Sequence, residues 1–331
     1  MLKLPGLRFN NRIRKRKFRA DPRGWRGPAV LALACAQFLW AGEPPQSPAM
    51  LGAPVLVSES SYRWLEGARW DVAHERLLFT DVYGDTLYEL TRDGAVAVVR
   101  TPTRQANNLG FDPQGRLVAC EITGRVSRTT LADGAVTDAV SDYAGHSVKF
   151  PNDLAILADG TVFFTDSKVA RIFRIAPDGR LQGAVPEGTG DAGANGLAVS
   201  PDQKVLYASY SEEGLLRAFD IAASDRLTGP RIVAQTGKLP DGLCVDQKGN
   251  IYVGTAAGVE VYTPKGQLLG VLAFPGVSLK DRVTKCVFGG ADGRTLFVLL
   301  PSKLFRVPAQ IAGWHSPLAS PQPRSLLPEQ R

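Results

Sequence analysis

The 331-residue chain is poor in the residues that make soft metal centres and nucleophile triads, with three histidines and four cysteines. No C-x-x-C pair occurs, and His74, His146 and His315 lie far apart in turn-like or terminal segments. Little is left on which to build an imidazole–thiolate zinc site or a His-based triad. Cys35 lies near the N-terminus, while Cys120, Cys244 and Cys286 sit inside apolar runs and read as buried free thiols. There is no G-x-S-x-G and no Walker A sequence. A G-x-G-x-x-G string at residues 188–193 runs into Ala194-Asn195-Gly196-Leu197, which reads as a strand. A dinucleotide fingerprint needs a helix there, so the string is read as a loop. Apolar residues show no 3.6-residue period, which argues against a helical solenoid. No apolar run reaches the ~20 residues that span a bilayer.

Charge is unevenly placed. The net +7 arises at the N-terminus, where residues 1–27 hold ten Lys/Arg against one Asp. Without that segment the chain is slightly acidic, so nucleic-acid binding is not expected of the folded part. Residues 28–41 (PAVLALACAQFLWA) follow with one polar member, Gln37. A basic stretch, a short apolar stretch and small residues read as an export signal, cleaved after Ala36 or near Ala41. The expectation is a periplasmic or secreted protein. A retained signal would be its one membrane contact, and an unprocessed extension would leave it cytoplasmic.

What the chain does have is a repeat. RLLFTD from Arg76, RLVACE from Arg116, TVFFTD from Thr161, VLYASY from Val205, NIYVGT from Asn250 and TLFVLL from Thr295 recur at intervals of 40, 45, 44, 45 and 45 residues. Each follows a turn of Asp, Gly or Lys type and is flanked by further short strands. That period with strand-turn-strand content predicts an all-β, six-bladed β-propeller with four-stranded blades. Inner strands are expected over residues 68–71, 109–112, 154–157, 197–200, 243–246 and 286–289. The sixth blade lacks an outer strand of its own. APVLV from Ala53 can supply it and close the ring, removing an open sheet edge. The organisation read from this is a leader and signal over residues 1–42, a linker over 43–52, one propeller over 53–312 and an unstructured tail over 313–331.

Two residues before the first apolar position of each expected inner strand stand Glu66, Asn107, Asn152, Asn195, Asp241 and Thr284. Inner strands line the axis of a propeller, so these positions converge on one tunnel mouth. A single Asn or Asp before a strand is an ordinary turn residue. Six oxygen donors converging, two of them carboxylates and none cationic, imply a bound cation, because facing carboxylates repel and desolvate. All-oxygen ligation favours Ca²⁺, with Zn²⁺, Mn²⁺ or Mg²⁺ as alternatives. Asp81 and Asp166, which end second strands, read as turn stabilisers.

FPNDLAILADGTVFFTD, ANGLAVSPDQKVLY, LPDGLCVDQKGNIYV and TKCVFGGADGRTLFV together resemble the SMP-30/gluconolactonase/LRE-like family, over about residues 66–307. The resemblance implies a divalent metal at the propeller mouth, held by Glu66, Asn195 of N-G-L and Asp241 of P-D-G. Asn152 of P-N-D is a ligand or holds substrate. It also implies hydrolysis of sugar lactones, with the metal as Lewis acid and Asp241 as ligand and general base; the chain itself is expected to be a monomer. Asn107, Asn152 and Lys149 would contact substrate. The chain departs from the family pattern in three places: Ala68 stands where a Pro is usual, Phe150 where animal members carry a sugar-binding Arg, and Ile122 where bacterial members often carry His. Two other readings share the repeat: a non-catalytic binding propeller of the NHL or YVTN kind, and a strictosidine synthase-like propeller.

Overall fold

A computed structural model describes residues 46–315, apart from residues 141, 144–145, 186–192 and 224–225. The expected leader and signal, most of the G-x-G-x-x-G string and the tail from 316 onward lie outside the described residues. No helix among the described residues is long and apolar enough to cross a membrane.

Six four-stranded antiparallel sheets form the blades. Their inner strands are Leu65–Asp71, Ala106–Phe111, Pro151–Ile156, Ala194–Val199, Leu243–Val245 and Lys285–Gly289. Each contacts the next, and the sixth returns to the first, so the ring is closed. The repeat motif forms the second strand of every blade. In blade 3 that strand, Val162–Asp166, is buried along its whole length. Such strands open on an apolar run because both faces pack against a neighbouring blade, and the buried Thr165 and Asp166 that end this one are hydrogen-bonded.

Apolar burial is divided into six wedges, one between each pair of adjacent blades. Trp70 and Phe79 of blade 1 pack with Val287, Phe297 and Leu299 of blade 6. Phe164 and Phe173 of blade 3 pack with Val118 and Cys120 of blade 2. The ring holds together because every blade contributes to two wedges, and burying apolar surface in both outweighs the cost of ordering the sheet.

Closure follows the sequence expectation. Val55–Glu59 pairs antiparallel with Lys303–Pro308, from Val55↔Arg306 to Glu59↔Lys303, as the outer strand of blade 6. The described residues of both flanks, 46–52 and 313–315, pack on the propeller. Leu51 is buried, Gly52 N–H donates to the Pro308 carbonyl at 2.8 Å, and Val271 N–H donates to that of Gln46 at 3.1 Å. Gly313 bridges Asp246, and Trp314 N–H donates to the Val245 carbonyl at 2.9 Å. Trp314 and His315 help to line the tunnel below the mouth.

Candidate active site at the propeller mouth

The ring residues sit where the inner strands break register. The pairing slips between Leu65 and Ala68, Ala106 and Leu109, Pro151 and Leu154, and Ala194 and Leu197. Each slip is a β-bulge holding one ring residue: Glu66, Asn107, Asn152 or Asn195. A bulge re-aims a side chain out of the sheet's alternation, here into the mouth. Asp241 does the same from the loop just ahead of blade 5's inner strand.

Five side chains join in one hydrogen-bonded arc. Asn107 Nδ2 donates to Glu66 Oε1 at 3.0 Å and to Asn152 Oδ1 at 2.5 Å. Asn152 Nδ2 donates to Asn195 Oδ1 at 2.6 Å, and Asn195 Nδ2 to Asp241 Oδ1 at 2.9 Å. The sixth position departs from expectation. Thr284 is fully buried and donates its hydroxyl to the Leu65 carbonyl at 2.8 Å. It ties blade 6 to blade 1 and is not a mouth donor. Arg282 takes the place instead, its Nε donating to Asp241 Oδ2 at 3.0 Å. The guanidinium carbon lies 5.2 Å from the Trp64 ring centre, and Trp64 Nε1 donates to Glu66 Oε2 at 2.7 Å. The circle is thus closed by a cation–π contact. Lys149 does not join the arc: its side chain is exposed, and its backbone N–H is held by Asp166 Oδ2 at 2.7 Å. Asp166 accepts the N–H of Phe150, Lys168 and Val169 as well, and Asp81 accepts those of Arg63, Trp64 and Gly84. Both aspartates fix the loops beside ring residues.

Burial is the largest influence on both carboxylates. It raises Glu66, against which the Asn107 and Trp64 hydrogen bonds work. Burial and then the charge of Glu66 raise Asp241, while Arg282 pulls it down. Asn107 Oδ1 is buried without a hydrogen-bond partner. The mouth therefore combines two carboxylates that resist ionisation, amide oxygens and one guanidinium. No group of three or more His, Cys, Asp or Glu side chains placed to hold a metal ion occurs among the described residues; any cation here would need the amides.

Beside the arc a cleft of about 450 Å³ opens over blades 3 and 4, lined by Asn152, Asn195, Ser167, Ser211, Tyr210 and Glu212. Ser167 Oγ accepts from Asn152 Nδ2 at 2.9 Å and Ser211 Oγ from Asn195 Nδ2 at 2.8 Å. Sequence reasoning missed both serines and Arg282. The serines share one signal, the first place after a second strand, but serine is common in turns. Below the arc, Lys285 Nζ reaches Asp153 at 2.8 and 3.1 Å, a buried ion pair joining blade 6 to blade 3.

A closed six-bladed propeller with an oxygen-rich mouth is thus the class of protein that the fold and site define. The model for the SMP-30/Gluconolactonase/LRE-like region matches residues 64–300, and the chain belongs to that family. It is 27% identical over 304 residues to a gluconolactonase from Zymomonas mobilis, covering 80% of this chain and 83% of that one. It is 28% identical over 255 residues to the pentonolactonase XacC from Haloferax volcanii, covering 73% and 83%. The solved structure of a gluconolactonase from Xanthomonas campestris superposes with a TM-score of 0.71 at 29% identity, covering 81% of this chain and 96% of that one.

Proposed function

We propose that the chain hydrolyses a sugar lactone at this mouth, with one divalent cation held by Glu66, Asn152, Asn195 and Asp241. The observation that carries the reading is the meeting of two mutually repelling carboxylates, Asp241 buried and Glu66 half-buried, in one arc with amide oxygens. A cation would relieve that repulsion, and the unpartnered Asn107 Oδ1 marks spare donor capacity beside it. The all-oxygen set favours Ca²⁺, with Zn²⁺, Mn²⁺ or Mg²⁺ as alternatives. When bound, such an ion supplies Lewis acidity toward the ester carbonyl.

The remaining chemistry belongs to side chains. Asp241 accepts the proton that water loses as it adds to the carbonyl carbon. Arg282 holds Asp241 Oδ2 in place and keeps a positive charge where the carboxylate product forms. Asn152, Ser167 and Ser211 offer hydrogen bonds to ring hydroxyls in a cleft of ordinary small-ligand size, with Asn107 beside Asn152 in the arc. That polar lining, together with the gluconolactonase and pentonolactonase relatives, supports an aldonolactone as substrate class. Export and a monomeric state are part of the proposal.

The test is a pH-stat screen of aldonolactones and unsubstituted lactones with the native protein and Asp241→Asn. The variant should lose about 100-fold or more in turnover with an unchanged far-UV spectrum. Native-level turnover by the variant would remove Asp241 from the mechanism.

A further inference from the structure

Two of the cysteines lie closer together than their spacing in the chain suggests. Cys244 is on the inner strand of blade 5, next to Leu243, and Cys286 is on that of blade 6, next to Lys285. Their Sγ atoms are 3.5 Å apart, across 42 residues of sequence. Cys286 is fully buried, whereas Cys244 is partly exposed. Both line the tunnel cavity beneath the mouth, and Cys244 is the less buried of the two. The remaining described thiol, Cys120, is buried on blade 2's second strand among residues of blades 2 and 3.

We propose that Cys244 and Cys286 are a redox-modifiable pair that closes into a disulfide joining blade 5 to blade 6. A disulfide needs its sulfurs at about 2.05 Å, so they must approach by roughly 1.5 Å. The oxidant is a small disulfide such as oxidised glutathione, or a thiol-disulfide oxidoreductase. The Cys244 thiolate attacks one oxidant sulfur, breaking its S–S bond and releasing one thiol. The Cys286 thiolate then attacks Cys244 Sγ, forming the protein disulfide and releasing the second thiol. The two cysteines lose two electrons and two protons, and the oxidant takes up both.

Burial pushes the Cys244 thiol well up. Thiolate is therefore scarce at neutral pH and exchange is slow, quickening as pH rises. The link falls between the strands that bear the mouth. Asp241 is three residues ahead of Cys244, and Arg282 is four ahead of Cys286. Closing the pair therefore fixes the base and its guanidinium partner to one covalent frame.

The experiment incubates the full chain with oxidised glutathione at mildly alkaline pH, then counts thiols under denaturing conditions and maps peptides. The expected result is the loss of two free thiols per chain, one peptide pair linking Cys244 to Cys286, and reversal by dithiothreitol. The thermal midpoint should rise by about 5 °C or more on oxidation. Cys244→Ser and Cys286→Ser should each abolish both the link and the rise. An unchanged thiol count, a persistent glutathione adduct on Cys244, or a link through Cys35 or Cys120 instead would overturn the pairing. A link that leaves the midpoint unmoved would overturn its role as a staple.

Discussion

Asp241 is the residue on which the mouth turns, because it meets three different demands at once. Its Oδ1 accepts from Asn195, its Oδ2 from Arg282, and burial beside Glu66 resists its ionisation. Arg282 is the counterweight, since it is the cation hydrogen-bonded to Asp241. Arg282→Met should lower kcat/KM by about 10- to 100-fold, the equivalent of one hydrogen bond to a charged group. The sign of the pH effect follows from the same contact. Arg282 holds the Asp241 carboxyl down, so its removal raises that group further. The acid limb of the pH–rate profile should then move to higher pH, and Arg282→Lys should recover part of the shift. An unmoved limb would mean that Arg282 only packs. Glu66, Asn107, Asn152, Asn195 and Asp241 were legible in the sequence, since a repeat places equivalent residues at equal height. Arg282 was not, because it stands two residues ahead of that register. Thr284 occupied the register position and misled for a physical reason: its hydroxyl carries a seam contact that other blades place on their second strands.

At the scale of elements, the bulges explain both a success and an error. Expected inner strands began at Ala68, Leu109, Leu154 and Leu197, whereas the real ones begin three residues earlier. The bulged residues break the alternation of apolar and polar positions that marks a strand, so the ring residues looked like turns before it. A hydroxyl beneath three of the four bulges supports it; in blade 2 the equivalent place holds Cys120, whose Sγ donates to the Asp153 carbonyl at 3.7 Å. Gly67 N–H donates to Thr80 Oγ1 at 2.8 Å, which donates to the Asn107 carbonyl of the next blade at 2.9 Å. Asp153, Thr165 and Asn195 repeat the relay at 3.0 and 2.8 Å, and Gly196, Ser209 and Asp241 at 2.8 and 2.7 Å. Gly67 is required there, since a Cβ would lie 1.8 Å from the Asn107 carbonyl oxygen. Thr165→Val keeps the shape and deletes the relay, leaving a buried N–H and a buried carbonyl. It should cost about 1–3 kcal/mol in urea denaturation and weaken lactone turnover through Asn195. A change within ±0.5 kcal/mol would show that the relay is incidental.

Across the whole molecule, the ring depends on its closure and on what spans its axis. The Val55–Glu59 strand joins the two ends of the propeller, and the Asp153–Lys285 pair links blades 3 and 6 below the mouth. Lys285→Met strands a buried carboxylate and should cost about 3–5 kcal/mol. Adding Asp153→Asn should recover much of that loss in the same denaturation series, because the penalty comes from the unpaired charge. The repeat made the six blades, the seam and the oxygen-rich mouth legible in the sequence. It could not show the cross-axis pair, which joins residues from unlike positions in two distant repeats. The central claim is that one divalent cation at this mouth supports lactone hydrolysis. Its most direct measurement is aldonolactone turnover by chelator-stripped protein as Ca²⁺, Mn²⁺ or Zn²⁺ is titrated back, with bound metal counted per chain. Turnover should be lost on stripping and should return in proportion to occupancy, reaching its plateau at one ion per chain. Undiminished turnover by the stripped protein would contradict it.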